Sequence, residues 1–129
     1  METKKIKEMF YKYNLVKDTD VFRHQHFVIL TRSGIEKIQA QEEIQVIFEV
    51  VVSEPNFAGV KAIATKEKKS IQTYGSALKG EGFKDGNCNT WYVLEMAEKR
   101  ALARAILKLL NLYEINVKSE DEADDFKKN

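Results

Sequence analysis

Four cations in the last third of the chain stand at spacings that suit phosphate binding. Arg100, Arg104 and Lys108 recur at i, i+4 and i+8. On an α-helix they share one stripe, with Lys99 to its side. Neighbours one turn apart lie about 6 Å from each other, so such a row can neutralise phosphates along a strand. The preceding strands and loops add Lys61, Lys66, Lys68, Lys69, Lys79 and Lys84. A single nucleic-acid strand held without sequence preference also needs rings on which bases stack. Tyr74, Phe83, Trp91 and Tyr92 are the candidates. Each ring serves equally well as core packing, and the stripe serves equally well as a solvated face.

Other reactive residues form no set. His24-Gln25-His26 puts two imidazoles on one face of a strand, but a zinc site takes three or four ligands. The lone Cys88 has no partner motif. Gly80-Glu81-Gly82 lacks the Gly-Lys-Ser/Thr ending of a phosphate loop. Glu98 falls within the apolar arc of its helix, and nothing supports a catalytic role for it. With no nucleophile–base pair and no paired carboxylates, no enzyme, metal or cofactor is expected.

The elements that position these residues follow from periodicity. Ile6, Met9, Phe10 and Tyr13 mark a short amphipathic helix. Val21–Leu30 reads as extended at its end. Thr31 can cap a short helix with Ile35 and Ile38 inward, although Gly34 inside it is unfavourable. From Ile44 the period becomes two, with Ile44, Val46, Phe48, Val50 and Val52 on one side. Phe57–Thr65 and Ser70–Leu78 follow as strands, Lys66–Lys69 being the hairpin tip between them. Lys79–Thr90, with three glycines, is a loop. Trp91–Leu112 is a long helix of strong helix formers. Its apolar arc spans about 200°, against little more than 100° for a helix on one sheet. Either a second copy of the chain or the N-terminal helices must cover the remainder.

Composition bounds the class. The chain has 129 residues, 43% hydrophobic and 32% charged, which suits one soluble domain. A single cysteine points to a reducing, cytoplasmic setting. The N-terminus lacks the apolar core of a signal peptide, and no apolar stretch approaches the ~20 residues of a membrane span. The net charge of +1 hides an asymmetry: residues 55–113 carry 10 basic and 5 acidic side chains, and residues 114–129 carry 3 and 6. A local positive excess favours an anionic partner.

Tyr74-Gly75-Ser76-Ala77, a Gly-containing loop and the run Met96-Ala97-Glu98-Lys99-Arg100-Ala101-Leu102-Ala103-Arg104-Ala105-Ile106-Leu107 together resemble a known family. The pattern is similar to the end of the annealing domain of single-strand annealing recombinases. These include the eukaryotic Rad-type annealing mediator and the phage Sak and Erf groups. The resemblance covers roughly residues 20–113. It implies rings or filaments that bind single-stranded DNA in a basic groove and anneal strands without ATP. It also implies backbone contacts at Lys99, Arg100 and Arg104.

The expected fold is therefore α+β: an antiparallel three-stranded meander, short N-terminal helices and a long basic and apolar C-terminal helix on the sheet. Residues 1–113 form the domain and 114–129 an acidic, disordered tail whose carboxylates compete with phosphates. The expected function is single-stranded DNA binding and strand annealing in phage or mobile-element recombination by a homo-oligomer. Its contacts are Lys99, Arg100, Arg104, Lys108, Lys79, Lys84, Tyr74 and Phe83. The alternative is a non-enzymatic oligomeric interaction module with no nucleic-acid role.

Overall fold

A computed structural model describes residues 2–24, 27–80 and 92–121. Helix α1 (Glu2–Tyr13) leads to strands β1 (Val21–His24) and β2 (Phe27–Leu30), then helix α2 (Arg32–Gln41). Strands β3 (Gln45–Ser53), β4 (Phe57–Lys66) and β5 (Lys69–Leu78) follow. The chain closes with α3 (Val93–Leu109), a 3-10 turn (Leu112–Ile115) and β6 (Val117–Ser119). The fold is α+β with two three-stranded sheets. The larger is antiparallel in the order β3-β4-β5; the smaller has the order β1-β2-β6, with β6 parallel to β2.

The larger sheet is built for close approach of a helix. Its inner face presents Ala58, Val60, Ala62, Ala64, Thr73 and Ala77, all buried. Helix α3 answers with Ala97, Ala101 and Ala105, which are fully buried. At Gly75 the surfaces are so near that a Cβ would overlap the backbone of Ala97 and Ala101. The Thr73 hydroxyl donates to the Ala101 carbonyl at 2.9 Å, so a strand side chain ties directly to the helix backbone.

The opposite flank of α3 packs on α2, β6 and the 3-10 turn. Ile106, Leu107 and Leu109 are buried between these layers. The wide apolar arc is thus covered within one chain, and it gives no reason to invoke a second copy. Glu98 is exposed, outside the core to which its helical angle assigned it.

Buried Asp20 organises the N-terminal half. Its carboxylate accepts from the Val16 amide at 2.8 Å, the Ser33 hydroxyl and the Lys37 ammonium at 2.6 Å. Burial alone would raise its pKa; these donors outweigh that and hold it below its ordinary value. The Asp20 carbonyl accepts from the Thr31 amide at 3.0 Å and lies where a Cβ on Gly34 would stand. That contact explains a glycine inside α2, whose N-cap is Thr31. Glu42, at the end of α2, binds the Tyr13 hydroxyl and the Lys12 and Lys66 ammoniums, the latter two both at 3.0 Å.

Three expectations change. The smaller sheet was not foreseen, because its strands are only three or four residues long. The tail cannot start at residue 114, since Leu112–Ile115 and Val117–Ser119 are ordered elements and Val117 is fully buried. Val50 is 57% exposed, because α3 lies over β4 and β5 and the β3 register shifts between Val50 and Val52.

Candidate nucleic-acid interface

Helix α3 runs antiparallel to β5, one of the two edge strands of the larger sheet. Its N-terminal half meets Thr73 and Gly75, and its end meets Lys69, which donates to the Leu109 carbonyl at 2.9 Å. The stripe faces the β5 side: Arg100 donates to the Ser76 carbonyl at 3.2 Å. Arg104 and Lys108, one and two turns further on, are exposed and form no ion pair among the described residues. Small residues at Ala97, Ala101 and Ala105 seat the helix on the sheet; the residue preceding Ala101 and Ala105 in each turn is an arginine on the flank.

Lys99 is on a different flank and is already engaged. Its ammonium lies 3.2 Å from Glu120 and 3.5 Å from Asp121. The same Glu120 oxygen accepts from the Arg32 amide at the start of α2, at 3.0 Å. A carboxylate at a helix N-terminus is favoured by the free amides and the dipole there. Strand β6 places both acids, because its pairing with β2 ends at Leu30 and Ser119, one residue before Glu120. The Asp121 side chain is 7% exposed, and its Oδ2 has no hydrogen-bond partner among the described residues. Burial raises the Asp121 pKa, against the pull of Lys99 and Arg100.

The other predicted positions are scattered. Tyr74 is 60% exposed on the face of the sheet away from α3, opposite Lys61. Lys61 is paired with Glu49 at 3.0 Å, which raises its pKa. Lys79 is exposed beyond β5, its amide donating to the Asn56 carbonyl at 2.7 Å. Lys66 is held by Glu42. Phe83, Lys84, Cys88 and Trp91 lie outside the described residues, as do the side chains of His24 and His26. The structure therefore gathers Arg100, Arg104 and Lys108, places Lys99 in an acidic clamp and sets Tyr74 on the far side of the sheet.

Sequence reasoning missed the clamp. Glu120 and Asp121 signal it only as the first acids after the short run Val117-Lys118-Ser119, a pattern too brief to identify as a strand. Among the described residues no three His, Cys, Asp or Glu side chains gather as a metal site, and no helix is long and apolar enough to cross a membrane. Comparison with protein-family models, with curated proteins and with solved structures finds no match to this chain.

Proposed function

We propose that the protein binds single-stranded DNA through the α3 flank beside β5, in support of strand annealing in phage or mobile-element recombination. The observation that carries this reading is the exposed pair Arg104 and Lys108, continuing the line of Arg100 and forming no ion pair among the described residues. Three cations one turn apart on a rigid helix are pre-set for phosphates and carry no sequence information. The resemblance to annealing recombinases along the same helix supports the choice of ligand. The protein acts as a binder rather than an enzyme, with no cofactor.

Glu120 and Asp121 make Lys99 a conditional member of this surface. Lys99 reaches a phosphate only when the clamp yields, so the start of the acidic segment restrains binding. Titrating labelled oligo-dT at two salt concentrations tests the reading. Binding that weakens with salt supports it; no binding at low salt ends it.

A second reading, an oligomeric interaction module, is favoured by the outer face of the larger sheet. Ile47 is 64% exposed and Val51 62% exposed, and no element of the described chain covers that face. Homo-oligomer formation belongs to both readings. Light scattering with labelled DNA present separates them: a module assembles without retaining the strand.

A further inference from the structure

Helix α1 carries two stripes, and the second is used by the core only in part, through Phe10. Ile6, Met9 and Tyr13 are buried. Lys7, Phe10 and Tyr11, with Ile6 beside them and Asn14 just past the end of the helix, line an open groove of about 800 Å³. The far wall is Leu15, Lys17 and β1, including Phe22 and Arg23. Tyr11 is 83% exposed and Phe22 keeps 37% of its surface exposed, so both rings leave apolar surface open to the groove. Contiguous exposed apolar surface of this kind marks interaction sites.

The charges around the groove have one sign. Lys7, Lys17 and Arg23 line it, and among the described residues no aspartate or glutamate does. The occupant must offer apolar side chains to the rings and anions to the three cations. A nucleic-acid strand fits less well, since among the described residues Asn14 and the Tyr11 hydroxyl are the only uncharged polar side-chain groups in the lining. An added β-strand fits less well too. Lys17 already bridges Val21, and the Asp18 amide donates to the Val21 carbonyl at 2.7 Å, so that part of the β1 edge is taken.

We propose that the groove between α1 and β1 docks an acidic amphipathic helical segment of a partner protein. Its apolar face lies on Phe10, Tyr11 and Phe22, and its carboxylates meet Lys7, Lys17 and Arg23. This is the helix-in-groove mode of peptide recognition, with Tyr and Arg as the side chains that most often dominate such contacts. The site stands apart from the α3 flank and does not depend on it.

The test pans a displayed library of random dodecapeptides against the full-length protein, then measures synthetic copies of the enriched peptides by fluorescence anisotropy. Enriched peptides should combine Asp or Glu with Leu, Phe or Trp. Tyr11→Ala and Arg23→Glu should each weaken them by about tenfold. Both side chains are exposed, and an unchanged circular-dichroism melt checks that the fold is kept. No enrichment, enrichment without acidic bias, or acidic peptides indifferent to both variants would overturn the proposal. Displacement of the peptide by oligo-dT, with loss of dT binding in both variants, would reassign the groove to nucleic acid. Self-association of the wild type abolished by Tyr11→Ala would reassign it to a second copy.

Discussion

Neutralising the acidic clamp, by Glu120→Gln with Asp121→Asn, should strengthen single-strand binding. In the folded chain Lys99 has carboxylates at 3.2 Å and 3.5 Å and keeps 21% of its side-chain exposure. A phosphate competing for Lys99 must displace both. Partly exposed ion pairs contribute up to about 1 kcal/mol each, so removing two favours DNA by up to about 2 kcal/mol, or up to roughly thirtyfold. The freed lysine adds about one phosphate contact, which steepens the slope of log affinity against log salt by about 0.7. The assay is anisotropy of labelled oligo-dT from about 50 to about 200 mM KCl. Glutamine keeps an acceptor for the Arg32 amide, so the α2 terminus stays satisfied. Unchanged affinity and slope in a folded double variant would refute the claim that the clamp competes with the strand. Weaker binding would make the acids part of the site.

Further outcomes follow from the packing. Gly75→Ala drives a methyl into the α3 backbone at Ala97 and Ala101 and should cost about 3 kcal/mol or more in urea unfolding. Thr73→Val, which removes the donor to the Ala101 carbonyl, should cost about 1 kcal/mol by the same measurement. Glu42 is held at about 2, against burial, by the Tyr13 hydroxyl first and then by Lys66 and Lys12. Its folded value lies below the ordinary 4.5. Its contribution is therefore complete above about pH 4.5 and lost as pH falls toward 2. Glu42→Gln should cost about 1–3 kcal/mol at neutral pH, with the difference from wild type closing on acidification.

What was legible in the sequence was what repeats. Alternation from Ile44 and the helix-forming run after Trp91 are long enough to stand on pattern alone, and both elements are present. The stripe at Arg100, Arg104 and Lys108 follows from spacing on that helix. What stayed hidden depends on contacts distant in sequence. Val117–Ser119 is a strand only because β2 lies beside it. Gly34, unfavourable within a helix, is required by the Asp20 carbonyl fourteen positions earlier. The wide arc of α3 showed that a second layer was needed. It could not show that α2, β6 and the 3-10 turn supply it. Lys99 looked available beside the stripe because its acidic partners lie beyond the helix, brought back by β6.

The most direct test of the proposed function is the salt dependence of oligo-dT binding in the wild type and in an Arg104→Ala, Lys108→Ala double variant. Both side chains are exposed, so the variant should melt like the wild type. Each lost phosphate contact removes about 0.7 from the slope. The account predicts a slope shallower by about 1.4 with weaker binding to every sequence tried. A folded variant with unchanged affinity and slope would contradict it, leaving the α3 stripe a solvated face.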